Sequence, residues 1–225
     1  MKVDWEHPSN PSQGKQYVQM LAALRKNLPA PSYLLTSALP AGEWALKDID
    51  LGKASRLLDF INSMTYDLSG PWTDVCGHHA QLYSPQNPHN DAAKISGDSA
   101  VSYLISKGVP SEKILLGIPT YGRSFLGASA VGSRYNGHGG EEGTYEYRDL
   151  PRSEAVVHYD DEVKAVYCVG GDGGFVTYDD HNTVSVKADY AKQRALGGLF
   201  YWTGTGDRSG TKSLVEAGFR SLHSP

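Results

Sequence analysis

Asp4 and Glu6, in the opening stretch Val3-Asp4-Trp5-Glu6, are the first pair in the chain whose types and spacing could do acid–base chemistry. The stretch alternates with the two-residue period of a strand, so both carboxylates fall on one face, one pleat apart. Two carboxylates that close repel each other, and one of them tends to keep its proton. A protonated carboxyl beside an ionised neighbour suits a general acid working near neutral pH. An isolated Asp-x-Glu also fits a solvated strand edge, so the pair takes its meaning from what gathers around it.

Four further groups have chemistry to offer, and they stand at the ends of apolar runs. Tyr66 and Asp67 close "MTYD", Tyr121 and Arg123 lie in "PTYGR", and the indoles Trp72 and Trp202 follow in "SGPW" and "FYW". No histidines are spaced for a metal cage. The glycine cluster from Gly132 to Gly140 follows no clear strand and lacks phosphate-binding spacing. Cys76 and Cys168 are far apart and sit in no partner motif, so neither a disulfide framework nor a zinc site is indicated. No cofactor is expected.

The elements that must position these groups alternate. Apolar runs read as buried strands in "SYLLTSALPAG", "FINSMTYD", "KILLGIPTYGRSF" and "GLFYWTGTGD". Between them, "KQYVQMLAALRKNL", "LGKASRLLDF", "GDSAVSYLISKGV", "TVSVKADYAKQRAL" and "GTKSLVEAGFRSL" carry the three- and four-residue spacing of helices. Continuous apolar strands alternating with helices predict a parallel sheet covered on both faces. In such folds a site forms beyond the carboxyl ends of several strands. The alternation breaks between about Leu126 and Asp180, where Gly, Tyr and β-branched residues predict antiparallel strands. The expected organisation is therefore residues 1–125 with 181–225 as the α/β body and 126–180 as an α+β insertion.

Composition narrows the function classes. The chain has 225 residues, and its net charge of −4 without Lys/Arg runs argues against a nucleic-acid partner or a membrane surface. No apolar stretch approaches the about 18 residues needed to cross a bilayer. The first residues are too polar for a signal peptide. Fourteen Tyr and four Trp suit a protein that lays rings against sugars or other flat partners, and equally suit ordinary structural use of Tyr.

In order, "VDWEHP", "MTYDLSGPW", "GIPTYGRSF" and "GGLFYWTGTGD" resemble landmarks of the family-18 glycoside hydrolases, in particular its fungal and bacterial chitinases. "VDWE" resembles the end of that family's Asp-x-x-Asp-x-Asp-x-Glu signature on the fourth strand of a (β/α)8 TIM barrel. The resemblance implies a barrel that lacks its first part, running from about strand four to strand eight, with the insertion after strand seven. Met1 and Lys2 stand where the signature's earlier acids and upstream barrel sequence would be.

The resemblance also implies roles. Glu6 would be the general acid and later the base, in a reaction whose nucleophile is the substrate's own N-acetyl oxygen. Asp4 would hydrogen-bond the acetamido N–H, and Tyr66 would donate to the acetamido oxygen. Asp67 would contact the sugar at the cleavage point, with Trp202 as the apolar floor beneath it and Met64 as a further substrate-binding residue. Trp72, Tyr121 and Arg123 would contact sugars on the leaving-group side, and Glu141 would be a further sugar-contacting acid. The implied function is retaining hydrolysis of β-1,4-linked N-acetylglucosamine polymers, with chitin or chitooligosaccharides as partner. The alternative is a catalytically weak or inactive chitin-binding fragment, because half of the signature is missing. The family analogy points to an extracellular location.

Overall fold

The computed structural model describes residues 1–224. Five strands form one parallel sheet: β1 (Lys2–Val3), β2 (Thr36–Pro40), β3 (Phe60–Met64), β4 (Ile114–Pro119) and β10 (Gly198–Trp202), in the order β1-β2-β3-β4-β10. A second sheet is antiparallel and lies in the chain between β4 and β10. It contains β5 (Tyr121–Phe125), β6 (Thr144–Glu146), β7 (Val156–Asp160), β8 (Ala165–Gly170) and β9 (Gly174–Tyr178), in the order β6-β5-β9-β8-β7. The helices are α1 (Pro11–Asn27), α2 (Glu43–Leu46), α3 (Leu51–Leu57), α4 (Gly97–Ser106), α5 (His181–Gln193) and α6 (Leu214–His223). The parallel sheet is open, with β1 and β10 at its edges, and the described residues form no closed barrel. Among them no helix is long and apolar enough to cross a membrane.

Local chemistry explains the helix starts. Asn10 caps α1 by accepting from the Gln13 backbone N–H at 3.0 Å, and Pro11 occupies the first turn, where its missing N–H costs nothing. The helix expected in "KQYVQMLAALRKNL" therefore begins at Pro11, with "SNPSQG" as its cap and first turn. Ser96 and Ser99 form a reciprocal capping box on α4, and Asp180 with Thr183 does the same on α5. Tyr17 and Leu21 of α1 are fully buried, and the Tyr17 hydroxyl donates to Ser37 Oγ of β2 at 2.7 Å. They belong to a core shared with Leu39, Ile61, Val101, Leu104, Ile114 and Leu116, which seats α1 and α4 on the sheet.

Two strand expectations change as well. The strand expected over residues 3–6 ends at Val3, because pairing with β2 covers only Lys2 and Val3. Asp4, Trp5 and Glu6 continue past the strand's end, with the Trp5 ring 6.2 Å from that of Tyr17. The single strand expected in "KILLGIPTYGRSF" is two, broken at Thr120. The Thr120 N–H donates to Trp202 O at 2.8 Å while its carbonyl accepts from Tyr147 N at 2.9 Å. That residue hands the chain from the parallel to the antiparallel sheet, which thus takes in Tyr121–Phe125, ahead of the expected 126.

Candidate active site

A cavity of about 920 Å³ opens beyond the carboxyl ends of the parallel strands. The segment after β1 lends it Asp4, Glu6 and His7, the turn after β2 lends Ala41 and Gly42, and α2 lends Trp44. Met64, Tyr66, Asp67 and Trp72 come from the end of β3 and its loop, Arg123 from β5, and Trp202 from the end of β10. The contributors come from the ends of several strands, so the sheet itself is what brings distant sequence together.

The two carboxylates have different surroundings. Asp4 is paired with the Lys2 ammonium at 3.1 Å. Glu6 is exposed to the cavity and, among the described residues, has no hydrogen-bond or ion-pair partner. Tyr66 is buried, and burial pushes its hydroxyl far above the usual tyrosine range, helped by the negative charges of Asp67, Asp4 and Glu6. It therefore stays a protonated donor facing acids. Its ring meets Tyr121 edge-on at 6.2 Å and lies 6.0 Å from Phe200. Gly117 of β4 makes the room, since a Cβ there would sit 2.8 Å from the Tyr66 ring.

Asp67 adopts a left-handed backbone, φ +58°, which a non-glycine residue holds only when its surroundings impose it. Those surroundings are clear. Burial alone would raise its carboxyl, but the neighbouring His79 and Arg123, whose Nε donates to it at 2.7 Å, together hold it well below the usual carboxylate range. His79, completely buried, stands 3.6 Å away, and burial pushes its imidazole down toward the neutral form. Arg123 also lies over the Trp72 ring at 4.8 Å, a cation–π contact that orients both side chains. At the other wall, Trp202 is half exposed, with the Lys2 ammonium 4.9 Å from its ring centre.

Of the residues expected from sequence, the cavity collects Asp4, Glu6, Met64, Tyr66, Asp67, Trp72, Arg123 and Trp202. Tyr121 does not line it. That ring packs behind, between Tyr66 and His79, and carries Arg123 at 5.7 Å. Glu141 is exposed on a hairpin of the antiparallel sheet, bridged to Thr144, and does not line it either. Lys2, His7, His79 and Trp44 take part in or behind the site without having been expected. For Trp44 a signal existed, because "GEW" repeats the Gly-x-Trp pattern of "GPW"; nothing in the sequence marks His79. Among the described residues no group of three or more His, Cys, Asp or Glu side chains is placed to hold a metal ion.

Fold and site together define an α/β protein, built on an open parallel sheet, whose strand ends carry a carboxylate-and-indole cleft. The chain belongs to the glycosyl hydrolases family 18, whose family model matches residues 1–207. It is similar to Chitinase 1 of Aphanocladium album, 34% identical over 235 residues, and to Endochitinase 1 of Metarhizium robertsii, 36% identical over 236. Each alignment takes in 99% of this chain and 55% of the relative, so the chain spans about half the length of the curated relatives it matches. Among solved structures, the Group IV chitinase of Ostrinia furnacalis is 28% identical with a TM-score of 0.89, aligning 99% of this chain with 68% of that one. Human YKL-39, described as a pseudo-chitinase with retained chitooligosaccharide binding, is 27% identical with a TM-score of 0.91 over the same shares.

Proposed function

We propose that the chain binds β-1,4-linked N-acetylglucosamine polymers in this cavity and hydrolyses them with retention, the substrate's acetamide serving as nucleophile. Glu6 gives its proton to the glycosidic oxygen as the acetamido oxygen attacks the anomeric carbon and the bond to the leaving sugar breaks. The Tyr66 hydroxyl donates to that acetamido oxygen and holds it under the ring. Asp4 accepts from the acetamido N–H and balances the positive charge of the oxazolinium intermediate. Glu6, now a carboxylate, takes a proton from the water that opens the intermediate, which restores the acid. Trp202 offers its apolar face to the sugar at the cleavage point, with Met64 and Asp67 beside it, and Trp72 and Arg123 serve the leaving-group side.

The observation that carries this reading is the convergence of Glu6, Asp4 and a protonated Tyr66 on one cavity lined by an indole. The test is turnover of a chromogenic chitobioside or chitotrioside by the purified chain beside Glu6→Gln. A rate that falls about a thousandfold in the variant supports the reading; equal rates at background overturn it for this chain. A second reading, chitin binding without turnover, is favoured by the Lys2–Asp4 ion pair, which occupies the carboxylate that the reaction needs. Equal background rates with intact chitooligosaccharide affinity would select it.

A further inference from the structure

His79 lies behind the cavity and takes no part in the chemistry above. Its ring is completely buried, and among the described residues neither ring nitrogen has a hydrogen-bond partner. Buried polar atoms left unpaired are costly, so an apolar side chain would fill this space better if filling it were the whole role. The acid beside the ring is Asp67. His79 Nδ1 stands 3.6 Å from Asp67 Oδ1, the same oxygen to which Arg123 Nε donates at 2.7 Å. Asp67 Oδ2 has no protein partner among the described residues, and Asp67 lines the cavity. Both neighbours thus crowd one carboxylate oxygen and leave the other to a ligand. Burial keeps the imidazole neutral, so it has one proton to give, and an acceptor facing Nδ1 places that proton there. The gap exceeds a hydrogen bond by about half an ångström, a distance that such contacts close when substrate binds. The backbone braces the same place. The N–H of Leu68, next after Asp67, donates to the His79 carbonyl at 3.0 Å, beside a residue whose φ is +58°.

We infer that His79 is a positioning residue for the hydrolysis: its Nδ1–H and the Arg123 guanidinium together grip one oxygen of Asp67 and so aim the other at the sugar in the cavity. The inference rests on the reading of the cavity as an amino-sugar polymer cleft with Asp67 beside the cleavage point. His79 touches no substrate, so whatever it contributes to turnover passes through Asp67.

The experiment is a double-mutant cycle on the hydrolysis of a chromogenic chitotrioside, with thermal unfolding of every variant. His79→Leu fills similar space and removes both unpaired nitrogens. It should lower kcat about tenfold, with KM changed less than about threefold, while the melting temperature stays at or above the parent's. His79→Asn, which keeps an N–H donor near the Nδ1 position, should recover part of the lost kcat. In an Asp67→Asn background, adding His79→Leu should lower kcat less than about twofold further. A full tenfold loss in that background, or a parent-like kcat in His79→Leu, would overturn the positioning role while leaving the cleft reading intact. A His79→Leu chain that no longer unfolds cooperatively would assign the ring to the core and overturn it too. A parent chain without turnover would overturn both.

Discussion

The Lys2 ammonium stands 4.9 Å from the centre of the Trp202 indole, so side chains from the two edge strands of the parallel sheet meet across the cavity. The same ammonium pairs with Asp4 at 3.1 Å. One cation therefore occupies both the apolar floor and one of the acids that the proposed reaction needs. Both partners of the ion pair are about a third exposed, so the pair adds little to stability, about 1 kcal/mol at most. Its consequence falls on ligand binding. Lys2→Ala should lower KM for a chitotrioside several-fold with a melting temperature within about 2 °C of the parent. A raised KM would show that Lys2 contacts the sugar instead of competing with it.

Arg123 shares with His79 the control of the charge state of Asp67. The side chain of Arg123 is only 13% exposed, and the two neighbours hold Asp67 low against the opposing effect of burial. Because the folded carboxyl lies below its unfolded value of about 4, its contribution to stability is present above that pH and is lost as pH falls through the folded value. Arg123→Met leaves a mostly buried carboxylate without its cation and should cost about 3 kcal/mol at pH 7. The deficit should narrow on acidification, as the unpaired Asp67 takes up a proton. Urea unfolding of both proteins at pH 7 and pH 4 checks this; a deficit that does not change with pH would place the cost in packing.

Room for Tyr66 depends on Gly117. A Cβ at this position would stand 2.7 Å from the Ser63 carbonyl, 2.8 Å from Tyr66 Cε1 and 3.0 Å from Phe200 Cε1. The backbone cannot yield easily, because Gly117 is locked on both sides to Thr65, whose hydroxyl accepts from Gly117 N at 3.0 Å and donates to Gly117 O at 2.9 Å. Gly117→Ala should therefore displace the Tyr66 ring, costing about 1–3 kcal/mol of stability and more than about tenfold in kcat. A variant with full activity and reduced stability would mean that the strain is relieved through Phe200 and not through Tyr66.

How much of this was legible in the sequence differs from element to element. The parallel strands announced themselves because a strand buried on both faces must be apolar throughout, as in "ILLGIP" and "SAL". The break at Thr120 was invisible, since the apolar pattern runs on through Pro119 and Tyr121 and only tertiary bonds to Trp202 and Tyr147 divide it. The start of α1 was missed although Asn10-Pro11 is a recognisable cap and first turn. In the site, residues that directly end a strand were legible by position. Glu141 and Tyr121 were expected in the cavity by resemblance, and their side chains are carried elsewhere by the antiparallel sheet and by packing against His79. Lys2 could not have been read as a partner of Trp202, because that contact exists only once the sheet curls.

The buried pair Asp179–Lys187 ties α5 to the segment that carries His79. Its side chains are 1% and 3% exposed and 2.5 Å apart, and Lys187 Nζ also donates to the Ala80 carbonyl at 2.6 Å. Thr183 Oγ1 donates to the other Asp179 oxygen at 2.8 Å, so the carboxylate is fully engaged. Removing one charge from such a pair leaves the other unsolvated and uncompensated. Lys187→Met should then destabilise the chain by about 3–5 kcal/mol, whereas Lys187→Met with Asp179→Asn should recover part of the loss. Denaturant midpoints of the two single variants and the double variant complete the cycle. A double variant as weak as the sum of the singles would show that the two charges do not act together, and the anchor behind His79 would then lie in the surrounding packing.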